Sequence, residues 1–278
     1  MNNDNRDTTN RGNSKSKSPG LLVAMPNPAT ASELWLTRMN ESLDGSLAAI
    51  ATYLPTGCVE THVPAIDLAP RGARLAQRFG VPLAPFGFGC RALREAIDRD
   101  DVQAVLCHYA SFALAHAKAW EQSSKPIFVY CHGYDVTWSL RSPRWPHLRR
   151  FRSSYLPCLR ELAQRVTFIA NSHFTRGRML DSGFPPDRVL VQHLGVPVAA
   201  ETPRRSIESP TNGDDVKFLY LGRLVDFKGP DLTIAAFDLA CRRGLRGTLT
   251  LAGDGPLRRH CERLRRASPF AARIKLLG

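Results

Sequence analysis

The sequence predicts an α/β protein built on parallel sheets and divided into two domains. Three observations lead there. From residue 21 onward, short apolar runs of strand length alternate with longer stretches of helical spacing. The runs are continuously apolar, as in strands covered by helices on both faces. A polar stretch at 199–215, AAETPRRSIESPTNGDD, then interrupts the alternation, which restarts sharply after it.

Residues 1–20 are rich in Asn, Asp, Arg, Ser, Lys and Thr. They hold too little apolar surface to offset the entropy of ordering them, so a disordered tail is expected. Expected strands are 21–25, 47–53, 102–107, 127–131, 166–170 and 189–192, with helical spacing at 30–42, 111–120 and 146–164. This gives a first domain over 21–198, followed by a linker at 199–215. The second domain, 216–278, reads strand (VKFLYLG), helix (GPDLTIAAFDLACRRG), strand (GTLTLAGDG), helix (PLRRHCERLRRA), strand (RIKLL). That is one mononucleotide-binding half of a doubly wound sheet.

Composition narrows the function classes. A hydrophobic share of 43% and a charged share of 23% are those of a soluble globular protein. The net charge of +13 points to anionic partners such as nucleotide phosphates, nucleic acid or lipid headgroups. No run approaches the roughly 20 apolar residues needed to span a bilayer. The seven cysteines are scattered singly, which argues against a disulfide framework and for a reducing cytoplasm.

The loop after the first strand of the second domain carries the clearest chemistry. Gly222 closes the strand, and RLVDFKG leads into the next helix. Ligands of open α/β sheets bind beyond the carboxyl ends of the strands, where helix N-termini offer free N–H groups to anions. Arg223 can grip a phosphate with two donors and Lys228 adds a compact charge. Gly222 and Gly229 would let the backbone approach closely. The bland alternative is a pair of solvated cations. AGDGP at 252–256 reads as a tight turn into a helix.

LYLGRLVDFKGPDLTIAAF, LTLAGDGPLRRHCERLRR and IKLLG together resemble the start of the C-terminal domain of glycosyltransferase family 4. VLCHYASFALAHAKAW, KPIFVYCHGYDV and VTFIANSHFTRGRMLDSGFPPDRVLVQHLGVPV resemble the family's N-terminal, acceptor-side domain, in that order. The resemblance is good over about 100–278 and loose over 21–100. It implies a GT-B-like fold of two Rossmann-like domains, the second only half present. It also implies retaining transfer of a sugar from a nucleotide diphosphate sugar to an acceptor, in polysaccharide or glycolipid synthesis. Arg223 and Lys228 match the family's donor-diphosphate pair, and fixed cations there would favour a transition state in which charge builds on the diphosphate. His132 matches a family histidine near the transferred sugar. Gly133 would allow close approach, Asp135 would orient the loop, and Ser172 matches another position facing the substrate. Neither a metal nor a cofactor is implied beyond the nucleotide sugar itself.

The sequence also departs from the family. The family's pair of glutamates near the donor lies beyond the last matched strand, and Glu262 is the last glutamate here. In place of a glycine pair, the first strand–helix loop has PNPATASE at 26–33. The expectation is an enzyme impaired by truncation. The alternatives are a non-catalytic binding remnant, or one chain of a split enzyme completed by a partner. The basic, aromatic stretch at 141–152 raises peripheral contact with the inner face of a membrane, where a lipid-linked or saccharide acceptor would be met. A solvated helix face is the plainer reading. The arginine-rich helix at 257–267 carries no signature of specific nucleic-acid recognition. The Cys107–His108 and Cys131–His132 pairs suggest zinc, but neighbouring residues on a strand face opposite ways, so single buried cysteines beside a histidine are preferred.

Overall fold

The computed structural model describes residues 20–26, 34–43, 45–53, 63–69, 88–121, 123–137, 155–195, 198 and 215–278. The tail, the helix start at 30–33, the helix portion at 146–154, the basic stretch at 141–152 and the linker at 199–214 lie outside them. The chain divides into two compact units, Met1–Val198 and Ala199–Gly278.

The first unit holds a seven-stranded parallel sheet of β1 (Leu21–Met25), β2 (Leu47–Thr52), β3 (Ala65–Asp67), β4 (Ala104–His108), β5 (Ile127–Cys131), β6 (Thr167–Ala170) and β7 (Val189–Val191). Their order is β3-β2-β1-β4-β5-β6-β7, with every pair parallel. The order reverses between β1 and β4, and the mouth of a doubly wound sheet lies there. Strand alternation supplies both faces of the core. Leu22, Ala24, Val105, Cys107, Val129, Cys131 and Phe168 point into the larger cluster, while Val23, Met25 and Ile50 pack with Leu36 on the other face.

The helices of this unit are α1 (Leu34–Ser42), α2 (Cys90–Ile97), α3 (Ala110–Ala115), α4 (Ala117–Trp120), α5 (Tyr134–Thr137), α6 (Tyr155–Leu162) and α7 (His173–Asp181). The helix expected over 111–120 is broken at His116, whose φ of −107° and ψ of 23° leave the helical region. The His116 side chain is fully buried and reaches Phe112 O at 2.9 Å, Phe88 O at 3.2 Å and the Tyr53 hydroxyl at 2.8 Å. These contacts hold the ring where an unbroken helix would not put it. Trp120 beyond the break bonds back to Ala113 O at 2.7 Å, which keeps α3 and α4 on one apolar cluster.

The second unit runs β8 (Val216–Leu221), α8 (Pro230–Arg242), β9 (Gly247–Ala252), α9 (Arg258–Ala267) and β10 (Ile274–Leu276), in the sheet order β10-β9-β8, all parallel. Its core is small: Ile234, Phe237 and Cys241 of α8, Leu249 and Leu251 of β9, Cys261 of α9 and Ile274 of β10. The apolar sequence of β8 suggests burial on both faces. Instead, Phe218, Leu219 and Leu221 are 40%, 66% and 81% exposed.

Candidate functional site

In the first unit the chemistry gathers at the carboxyl ends of β4 and β5, beside the reversal of strand order. Parallel register sets His108, the last residue of β4, opposite Tyr130. His132 follows immediately after β5, and its Nε2 lies 3.2 Å from His108 Nδ1. Around His132 the rings of Trp35, Tyr109 and Tyr130 stand at centroid distances of 4.4, 4.5 and 5.1 Å. His108 is fully buried and His132 partly so. Burial pushes both imidazoles down to about 3, His108 also through its neighbour, so both are neutral near pH 7.

Asp135 ties these two loops together. Its Oδ2 accepts from Ala110 N at 2.7 Å and its Oδ1 from His132 N at 2.9 Å. Its backbone oxygen accepts from the Tyr155 hydroxyl at 2.8 Å. Burial pushes its carboxyl up to about 6, against the opposing pull of the N–H groups that face it. Gly133 has φ +92°, a conformation that L side chains rarely adopt. Tyr109 shares positive φ, at +73°, and is the single non-glycine residue among those described to do so. A bulky residue held in that region stores strain, and such strain clusters at functional sites.

Ser172 lies one strand further on. It is the N-cap of α7, its hydroxyl accepting from Thr175 N at 3.1 Å and meeting Thr175 Oγ1 at 3.0 Å. The sequence singled out His132, Gly133, Asp135 and Ser172, and the structure brings the first three into one hydrogen-bonded group. It adds His108, Trp35 and Tyr109. Of these, only His108 left a signal in the sequence, through its pairing with a cysteine.

In the second unit, Gly222, Arg223, Lys228 and Gly229 sit at the carboxyl end of β8. A short 3-10 turn, Asp226–Lys228, precedes α8. Gly229 takes φ +61° between that turn and Pro230, so local conformation already requires glycine there. The Arg223 guanidinium and the Lys228 ammonium each lie 5.8 Å from the Phe227 ring centroid. Both cations are exposed, and neither forms an ion pair among the described residues. The loop is anchored from below, with Gly222 N bonding Ala252 O at 3.1 Å, Leu224 N bonding Asp254 O at 2.9 Å and Leu257 N bonding Leu224 O at 3.0 Å. The AGDG turn fits so closely that a Cβ on Gly253 would stand 2.0 Å from Gly222 O.

Among the described residues, no group of three or more His, Cys, Asp and Glu is arranged to hold a metal ion. Nor is any helix among them long and apolar enough to cross a membrane. The first unit can hold a neutral imidazole within an aromatic surround, and the second presents two cations on a rigid loop at a helix start.

The sequence profile of Glycosyltransferase Family 4 matches residues 58–200. No curated protein sequence gives a significant match. The apo form of the lipopolysaccharide outer core galactosyltransferase WaaB is 15% identical, with a TM-score of 0.60 over 93% of this chain and 68% of its own. HepE from Anabaena, solved in complex with UDP-glucose, is 16% identical with a TM-score of 0.62, over 93% of this chain and 68% of that one. Sucrose-phosphate synthase from Thermosynechococcus elongatus is 16% identical with a TM-score of 0.64, over 93% and 70%. At such identities the structural likeness speaks for the fold, a GT-B-like pair of Rossmann-like parallel sheets. Since the profile takes in just over half of the sequence, the chain belongs to glycosyltransferase family 4.

Proposed function

We propose that the chain binds a nucleotide diphosphate sugar, with Arg223 and Lys228 on the diphosphate, and serves sugar transfer to an acceptor in polysaccharide or glycolipid synthesis. The observation that carries this reading is the pair of exposed cations flanking Phe227 at the carboxyl end of a parallel strand. Two positive charges without a carboxylate partner among the described residues are suited to a dianion. Arg223 offers a fork of donors to one phosphate and Lys228 a point charge to the other. As the glycosidic bond breaks, charge builds on the leaving diphosphate, and cations already in place stabilise it without reorganising. Gly222 and Gly229 keep side chains away from that approach.

In the same reading His132 meets the transferred sugar, Gly133 leaves room beside it, and Asp135 holds the loop. Ser172 borders the same mouth of the sheet. A donor of this kind and free cysteines among the described residues fit a reducing cytoplasm.

Calorimetric titration with UDP, GDP and UDP-glucose tests the reading. Binding that Arg223→Ala with Lys228→Ala abolishes is the expected result. No heat of binding from a folded wild-type chain would refute it.

A further inference from the structure

The second unit has an outer surface that the reading above does not use. Leu249 and Leu251 point to one face of β9, and two helices pack on that face. α8 does so through Ile234, Phe237 and Cys241, and α9 through Cys261. The helices therefore lie side by side on one face of the sheet, as right-handed crossovers in a single direction require. Their sides away from the sheet form one surface.

On α8 that side is apolar. Leu232, Ala236 and Leu239 recur at helical spacing, and Leu232 is 71% and Leu239 51% exposed. The next position on the same stripe is Arg243, exposed at the end of the helix. On α9 the matching side carries Arg259, Arg263 and Arg266, all exposed and again at helical spacing. Arg263 donates to His260 Nδ1 at 3.4 Å, while Arg243, Arg259 and Arg266 form no ion pair among the described residues. The carboxylates of both helices are turned elsewhere. Asp238 accepts from the Ser268 hydroxyl at 2.5 Å, Glu262 pairs with Arg265 at 3.5 Å, and Asp231 is half-buried in the first turn of α8. An apolar stripe thus runs beside an arginine stripe, with no acidic side chain on either.

A small anion or a nucleic acid would engage the arginines and leave the leucines in water. A purely apolar partner would cover the leucines and strand the arginines. The surface of an anionic bilayer offers phosphates and acyl chains in adjoining layers, and long arginine side chains can reach the first while short leucines enter the second.

We infer that the outer face of α8 and α9 is a docking surface for an anionic lipid bilayer. Leu232 and Leu239 enter the boundary between headgroups and acyl chains, and Arg243, Arg259, Arg263 and Arg266 meet the lipid phosphates. Neither stripe includes Arg223 or Lys228, so the inference does not rest on the diphosphate reading.

Sedimentation of the full chain with vesicles tests it, using phosphatidylcholine alone and phosphatidylcholine mixed equally with phosphatidylglycerol. Binding to the mixed vesicles, and far weaker binding to the neutral ones, is expected. Each arginine near such a surface contributes roughly fivefold in affinity, so Arg259→Gln with Arg263→Gln and Arg266→Gln should weaken binding about a hundredfold. Arg91→Gln with Arg178→Gln and Arg188→Gln removes the same charge from exposed positions of the first unit and should change it little. Leu232→Ser with Leu239→Ser keeps every charge and should weaken binding about tenfold, leaving a remainder that added salt removes. Equal binding to both kinds of vesicle would overturn the inference, as would equal losses from the two arginine sets. Unchanged binding of the serine variant would overturn it too, by reducing the surface to charge alone. So would retention of duplex RNA by a chain that ignores the vesicles. Should the α9 arginine variant not fold, the serine variant decides alone.

Discussion

The carboxylate of Asp135 accepts the backbone N–H of His132 at 2.9 Å, and it does so while buried and bonded equally to the start of α3. One side chain thus sets the spacing of two loops that leave neighbouring parallel strands. Its geometry also makes its protonation a matter of stability.

Asp135→Asn replaces one of the two accepting oxygens with an amide N–H. One backbone donor, at Ala110 or at His132, then faces another donor. Unsatisfied buried groups of this kind cost about 1–3 kcal/mol. Because burial raises the folded-state carboxyl to about 6, the wild-type carboxylate loses stability as pH rises from about 4 to about 6. Urea unfolding should show the variant to be weaker, with the gap narrowing as pH rises through that window. A gap that widens would contradict the burial account.

The two imidazoles act in the opposite direction. His108 and His132 are held down to about 3 by burial, so between pH 6.5 and 3 protons bind them in the unfolded chain but not in the folded one. Their contribution is present at pH 7 and is lost on acidification. Two such groups outweigh the single carboxylate of Asp135, so this pocket favours unfolding as pH falls from 6.5 to 4. His132→Gln should flatten the dependence of Tm on pH in that range. An unchanged slope would mean that the ring protonates freely in the folded state.

Gly253→Ala should damage the diphosphate loop from below, through Gly222 and not through Arg223 or Lys228. The new methyl would stand 2.0 Å from Gly222 O, at a φ of +143° that L residues rarely adopt. Overpacking costs about 1–3 kcal/mol, and strained backbone adds about 1–3 kcal/mol more. Heat denaturation of the second unit and UDP affinity should both suffer. Intact UDP affinity with a lowered Tm would show that the loop keeps its shape without its support.

The main strands were legible because each is a compact apolar run between turn residues. Leu21–Met25 and Ile127–Cys131 match their expected limits. β3 was not legible: three residues between Pro64 and Leu68, at a sheet edge, carry too little pattern to separate from loop. The break at His116 was hidden because alanine-rich helical spacing runs through it, while its cause lies at Tyr53 and Phe88, far away in sequence. His132, Arg223 and Lys228 were singled out through motifs, which is a resemblance of sequence and needs no structure to be seen. The contact of His108 with His132 depends on the register of β4 against β5, which neither strand encodes by itself. The exposure of β8 has the same origin. Its residues read as core, but what covers a strand is decided by its neighbours.

Among the described residues β8 pairs with β9 alone, while Leu219 and Leu221 face outward from it. That gives the chain an adhesive margin opposed by its charge of +13. Copies repel one another in dilute buffer, where each carries its full field. Added salt shortens that field to about 8 Å at physiological ionic strength, and contact between margins becomes a short-range affair that electrostatics no longer vetoes. Self-association through this strand is therefore expected to rise with ionic strength.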